Sequence, residues 1–424
     1  RQTDLKTDLN TFGWGKVWLL STCIPFRSRF PKFLLFTLLF SIWLLPHLMA
    51  QSWLDGYCYR KKITINETQV DALSNLIDFP VLIKTTDVDL ATEANGGYVY
   101  DSNGWDIVFT SDDGTTRLDH EVEKYDPFSG EYVAWIKIPV LYWDFNTEIY
   151  IYFGNDSPGG DPSTSDTWSN GFVSVYHLHD DEDDAAGSNN GVNEGSTDIL
   201  GLMGDGQDFD YNLASGLDTA RIEIGSFDVA NDSMTITAWI RPETFSVNDA
   251  RIVSKATGNN NQEHWWMLST FGNGTQLRFR LRTNGTTATY APNVSVLTSL
   301  SWNYVSAVYD GSEMDLYHNG SALEASGLTK TGIINSDPSV DIAIGNQPSS
   351  VTDFGSGGER PFDGIIDEVR IAYAARTSSW LTTEYNNQNS PGTFYTINNL
   401  EDSIPVAEAG SAQDICGSLL ATLA

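Results

Sequence analysis

The chain is short of the residues that staple small domains, grip nucleic acid or cross bilayers. Only three of its 424 residues are cysteine. No Cys-x-x-Cys or Cys/His cluster occurs, which argues against a disulfide-dense scaffold and against a zinc site. Basic residues are scarce, 24 Lys and Arg against 56 Asp and Glu, for a formal net charge of −32. Such a surface repels phosphate backbones and anionic lipid, so neither nucleic acid nor direct membrane binding is expected. The apolar run Phe33 to Leu45 is short against the ~20 residues that span a bilayer. There is no Gly-x-Ser-x-Gly elbow, no His-Glu-x-x-His and no phosphate loop, so nothing places a nucleophile beside a base.

What the chain does have is aromatic residues, 13 Trp, 18 Tyr and 20 Phe, enough to rule out a disordered polymer. Its length allows two or three domains, each with its own core. Arg27, Arg29 and Lys32 precede the apolar run, Pro46 follows it, and Ala50-Gln51 fits a cleavage point. Residues 1–50 therefore read as an upstream segment and a secretory signal peptide, with export to the cell surface or medium expected. Cys23 falls in this leader, which leaves Cys58 and Cys416 at opposite ends of the mature chain.

Residues 51–165 carry only β signals. Short runs such as Arg60–Ile65, Phe79–Lys84, Tyr132–Ile138 and Glu148–Phe153 are separated by turns, with Asp113-Gly114 apt for a hairpin. Lys62–Ile65 and Tyr132–Ile138 read as half-buried alternating strands. The blocks Trp105–Thr110, His120–Tyr125, Val133–Pro139 and Ile149–Asn155 resemble a bacterial extracellular family, domain of unknown function 2341. That resemblance implies a β-sandwich and brings no known chemistry. Val175-Tyr-His-Leu178 is a motif that commonly follows this family. The acidic run Asp180–Asp184 lacks the alternate spacing of an EF-hand loop and reads as solvated.

Residues 166–390 form a second all-β region. Met234–Pro242, Trp302–Val305, Val308–Gly311, Leu316–Gly320 and Gly364–Ile371 resemble, in that order, the laminin-G-like, concanavalin A-like jelly roll. Asn319-Gly320 supplies the two positive-φ residues of a tight hairpin. The fold class expected is thus all-β, two antiparallel β-sandwich domains in tandem. Residues 403–424 resemble the first strands of a PKD-type immunoglobulin-like domain, whose remainder, with a partner for Cys416, would lie beyond Ala424.

Three groups of residues carry candidate chemistry. Period-two alternation puts Asp367 on one face with Ile365, Val369 and Ile371, and Ile366, Glu368 and Arg370 on the other. An inward carboxylate must be hydrogen-bonded, paired or metal-bound. One reading makes Asp367, with Asp210, a ligand of a structural calcium ion, as the jelly-roll resemblance also implies; the other has it accept backbone N–H groups. The second group is Trp265, Trp266 and the stripe Arg278, Arg280 and Arg282, which alternates with Leu277, Phe279 and Leu281. Stacked Trp with Arg donors suits sugar recognition, and the rival is one core Trp with arginines paired to acids. The third is the adjacent pair Asp367-Glu368, which lacks the Glu-x-Asp-x-x-Glu spacing of a family-16-type glucanase, so catalysis is not expected.

The expected role is non-catalytic extracellular recognition or adhesion, with a glycan or other extracellular polymer as partner and calcium as the possible ion. An accessory module of a polysaccharide-degrading hydrolase and a plain structural spacer are the alternatives.

Overall fold

The computed structural model describes residues 52–211, 219–229 and 231–403; the expected leader and the expected third domain fall outside them. The described residues fall in one compact unit. The first strands are β1 (Tyr59–Ile65), β2 (Leu76–Thr86), β3 (Val108–Ser111), β4 (His120–Asp126), β5 (Glu131–Leu141), β6 (Thr147–Phe153) and β7 (Phe172–Tyr176). There follow β8 (Val192–Asn193), β9 (Thr197–Leu200), β10 (Asp205–Phe209), β11 (Ile222–Glu223), β12 (Met234–Pro242), β13 (Arg251–Ala256), β14 (His264–Phe271), β15 (Gln276–Thr283) and β16 (Thr286–Tyr290). The last are β17 (Asn303–Tyr309), β18 (Glu313–His318), β19 (Ser321–Ala322), β20 (Leu328–Thr329), β21 (Ile342–Ile344), β22 (Gly364–Ala372), helix α1 (Ser378–Asn389) and β23 (Tyr395–Asp402).

The strands form four sheets. The first sandwich packs β23-β1-β6-β3 on β2-β5-β4. The jelly roll packs a nine-stranded sheet, β19-β18-β17-β12-β22-β10-β9 with β7 and β20 attached, on β16-β15-β14-β13-β21-β11-β8. Each sandwich has its own core, Ile63, Phe79 and Ile151 in the first and Ile236, Leu268 and Phe279 in the second. A third apolar cluster, Leu82, Val133, Trp135, Trp168, Val175, Trp239 and Tyr304, joins the two sandwiches sheet to sheet. β5 is therefore not the half-buried strand its sequence suggests: Tyr132, Ala134 and Ile136 face the first core, and Val133 and Trp135 face the second sandwich. Strands covered on both faces read as continuous apolar runs, as Val133-Ala-Trp-Ile136 does.

A helix departs from the all-β expectation, and a strand from the expected domain boundary. α1 begins at Thr377, whose side chain caps Trp380 N–H, and it buries Trp380 and Leu381 but also Thr383, Glu384, Asn387 and Gln388. Asn387 exchanges two hydrogen bonds with the backbone of Leu82, at 2.7 and 3.0 Å, so the helix docks by amide pairing as much as by apolar area. β23, beyond the expected end of the jelly roll at residue 390, returns to pair with β1 and completes the first sandwich. Cys58, buried beside it, is disulfide-bonded. The Asn319-Gly320 hairpin forms as its sequence demands, with φ of 51° and 77°.

β22 departs from simple alternation. Thr237 on β12 faces Arg370 and Trp239 faces Asp367, two residues against three, so β22 carries a bulge. Glu368 sits at its centre with φ of 53°, left-handed backbone that costs a side-chain-bearing residue about 1–2 kcal/mol. The bulge resets the faces: Ile366, Val369 and Ile371 all enter the jelly-roll core, and neither Ile365 nor Asp367 is part of it. Asp367 is thus buried, but not on the side shared with Val369 and Ile371.

Candidate functional site

The arginine stripe lies where β15 puts it. Leu277, Phe279 and Leu281 enter the core, and Arg278, Arg280 and Arg282 line the outer face of the seven-stranded sheet. That face is not open. Arg278 and Arg280 are 4% and 6% exposed, Arg280 donating to Asn261 Oδ1 and Arg278 to Asp249 Oδ2, and only Arg282 is half-buried. Trp266 belongs to the core, while half-buried Trp265 carries the Arg282 guanidinium 4.8 Å above its ring. The expected flat Trp/Arg face is therefore replaced by a buried cationic floor with one Trp–Arg stack at its rim. β14 bulges between His264 and Trp266, and adjacent strand residues point to opposite faces, so Trp266 goes inward and Trp265 outward.

Residues outside the expected set organise that floor. Arg251 on β13 is fully buried beside Arg278 and Arg280. Asp249, just before β13, meets Arg278 at 3.2 Å, Arg360 at 3.1 Å and Arg251 at 3.4 Å. Burial alone would raise its carboxyl, but the three guanidiniums overcome this and hold it below the ordinary carboxylate value. Burial and the neighbouring guanidiniums also push Arg251 down, despite Asp249. An arginine does not release its proton in such a site, so the strain is a standing demand for negative charge. His264 stays neutral: burial, then Arg251 and Arg280, lower it to about 2. Its Nδ1 lies 2.9 Å from the Asn260 carbonyl and Nε2 lies 3.3 Å from Arg251 Nη2, which fixes the proton on Nδ1.

Asp249 and Arg360 also reach solvent. They line a groove of about 390 Å³ with Tyr211, Ser246, Asn248 and Glu359. The groove so offers a fixed carboxylate, a guanidinium, an amide, a hydroxyl and an aromatic ring within one concavity.

A second constellation lies between the sandwiches. His177, just after β7, places Nδ1 2.6 Å from Glu368 Oε1 and 3.6 Å from Glu123 Oε2, and Nε2 3.3 Å from Glu121 Oε2. Arg370 bridges Glu368 to Glu384 of α1, at 2.5 and 2.7 Å, and lies 4.0 Å over the Trp135 ring. Burial opposes the charge on His177, yet Glu368 and Glu121 outweigh it and raise the imidazole well above its usual value. Burial would likewise raise Glu368, but His177 and Arg370 hold it below the ordinary value. Glu123 is pushed up to about 7 by burial and by Glu368.

The two expected calcium ligands do not meet. Asp367 lies in the ladder opposite Gly206, four residues along β10 from exposed Asp210, a separation of roughly 13 Å at strand spacing. Asp367 Oδ2 instead accepts the backbone N–H groups of Leu202 and Met203, at 2.6 and 3.2 Å. Burial, then Glu368 and Glu123, raise its carboxyl well above the usual value, against those two N–H groups. Within the acidic run, Asp184 is buried and accepts the N–H groups of Val175, Ala186 and Asn189, so it is a turn residue.

Asp249, Arg251, Arg360, Glu121, Glu123, His177 and Glu384 are outside the sequence-based set. Their common signal is a charged residue inside an apolar strand or its flank, as in Arg251-Ile-Val253, and alternation does not say which partner such a residue finds.

Comparison with known proteins adds family and fold. Residues 215–382 match the concanavalin A-like lectin/glucanases superfamily, and residues 103–190 match a domain of unknown function (DUF2341). No curated protein matches the chain. Among solved structures, domain 4 of the extracellular GH43 arabinanase of Geobacillus stearothermophilus, in complex with arabinotriose, is similar over 50% of this chain and 97% of that one, at 16% identity and TM-score 0.36. The binding domain of Paraclostridial Mosquitocidal Protein 1 is similar over 51% and 52%, at 16% identity and TM-score 0.39. A Trypanosoma rangeli sialidase mutant is similar over 64% and 44%, at 11% identity and TM-score 0.38. The chain thus spans about half the length of the second and less of the third. It carries a DUF2341 segment followed by a concanavalin A-like domain.

Proposed function

We propose that the chain is a non-catalytic, extracellular recognition module whose jelly roll binds carbohydrate in the groove beside Asp249 and Arg360. The observation that supports this is an ionised carboxylate gripped by three guanidiniums on the floor of an open, polar groove. Sugar hydroxyls donate to such a carboxylate and accept from a guanidinium. A site whose polar groups are already oriented loses little entropy on binding. The surplus of arginine over acid at the floor favours sugars that carry a carboxylate or sulfate.

Affinity electrophoresis of the whole chain in neutral and acidic polysaccharides tests the reading. Retardation by at least one acidic polysaccharide is expected, and Arg360→Ala, which removes the half-exposed guanidinium and leaves the buried pairs intact, should weaken it at least 10-fold, about 1.4 kcal/mol. Asp249→Asn should weaken it further. Retardation unchanged in both variants, or absent from every polysaccharide, would refute the groove.

A further inference from the structure

Glu123 lies on β4 of the first sandwich, His177 directly follows β7 and Glu368 lies on β22, the last two strands being part of the jelly roll. One ligand atom from each lies within 4.8 Å of the other two. We propose that these three residues form a binding site for a divalent first-row transition cation, such as zinc or manganese, which ties the two sandwiches together.

Each of the three is held from behind. The His177 Nε2 side faces Glu121 at 3.3 Å, which leaves Nδ1 toward Glu123 and Glu368. Trp135 Nε1–H donates to Glu123 Oε2 at 2.8 Å, and Arg370 donates to Glu368 Oε2 from Nε at 3.1 Å and from Nη2 at 2.5 Å. Metal-binding imidazoles and carboxylates are oriented by such outer partners, a carboxylate on the far imidazole nitrogen above all.

The second observation is an oxygen without a partner. Glu123 Oε1 makes no hydrogen bond although the side chain is only 1% exposed. It faces the 201–204 turn at Gly204, where a Cβ would stand 2.5 Å from it. The glycine thus keeps open the space beside a free carboxylate oxygen, and a cation's further ligand could enter there. Charge points the same way: Glu121, Glu123, Asp367 and Glu368 act on one another across the pocket, while Arg370 pairs with Glu368 and Glu384, and Arg376 lies beside Glu384.

The donor set selects the cation. One imidazole nitrogen and two carboxylates suit zinc, manganese or iron, and three protein ligands leave positions for water. Calcium wants six to eight oxygens, more than this pocket supplies.

The test is calorimetric titration of the chelator-stripped full chain with zinc chloride, then manganese and calcium chloride, with a thermal melt of each. We expect one equivalent of zinc or manganese, bound at least 10-fold more tightly than calcium, and a raised Tm. Glu123→Gln, which keeps the Trp135 bond, should weaken binding at least 10-fold. His179→Ala, in the neighbouring His179, Asp180 and Asp205 group, should leave it unchanged. No stoichiometric zinc or manganese binding, or binding that survives Glu123→Gln, or binding lost with His179→Ala, would overturn the site. Should Glu123→Gln not fold, zinc-edge absorption of the parent chain decides: nitrogen and oxygen neighbours with a single imidazole are expected, and two or more imidazoles would overturn the assignment.

Discussion

Two buried histidines, His264 on the outer face of the jelly roll and His177 between the sandwiches, take opposite charge states. His264 sits among Arg251, Arg278 and Arg280 and is held neutral, at about 2. His177 sits among Glu121, Glu123 and Glu368, which without a bound cation raise its imidazole well above the usual value and hold it charged; a cation on Nδ1 would take the place of that proton. Burial disfavours the imidazolium at both places, so the sign of the neighbours decides. The contrast extends to the clusters around them. The outer floor has guanidiniums in excess around the carboxylate of Asp249, suited to an anionic or hydroxyl-rich ligand. The inner pocket has carboxylates in excess and is closed by two sandwiches, suited to a cation.

Removing the inner guanidinium would break the comparison most severely. Arg370→Met removes the guanidinium that bridges Glu368 and Glu384 in the interior, and breaking a buried pair in this way costs about 3–5 kcal/mol. Chemical denaturation should report a loss of that size; a loss below about 1 kcal/mol would mean that the two sandwiches do not depend on this lock.

Acid sharpens the comparison with a smaller effect. His264 has a folded value near 2 against an ordinary value near 6.5, so between these the unfolded chain takes a proton that the folded chain refuses. Its contribution is complete above about pH 6.5 and is lost as pH falls, by about 1.4 kcal/mol per unit, or roughly 2 kcal/mol from pH 6.5 to 5. In the cation-free chain His177 has the opposite sign: its raised value stabilises below its ordinary range, and that stability is lost as pH rises through the folded value. The stability difference between parent and His264→Gln isolates the first limb, which should shrink on acidification. A difference independent of pH would contradict the neutral His264.

Much of the fold was legible in the residues. Short strands with turn punctuation announced two sandwiches, Asn319-Gly320 announced its hairpin, and Leu277-Arg-Phe-Arg-Leu-Arg282 announced which side of β15 faces the core. The rest depended on contacts distant in sequence. Alternation fails in β22 because both its faces are covered, so nothing in the pattern marks the bulge that moves Asp367 off the core face. α1 was invisible because its buried side carries Thr383, Glu384, Asn387 and Gln388, leaving little apolar periodicity. Both charge clusters gather residues from well-separated strands, and pairing across such distances leaves no local mark. Asp249 meets Arg360, and Glu123 meets Glu368, only once the sheets are closed.

The most direct test of the recognition account is a backbone-amide NMR titration of the whole chain with an oligosaccharide of whichever polysaccharide retards it. The groove predicts shifts gathered at Ser246–Asp249 and at Glu359 and Arg360, with the amides of Glu121 and Glu123 unmoved. Shifts confined to Trp265 and Arg282, or spread over the first sandwich while the groove stays silent, would contradict it.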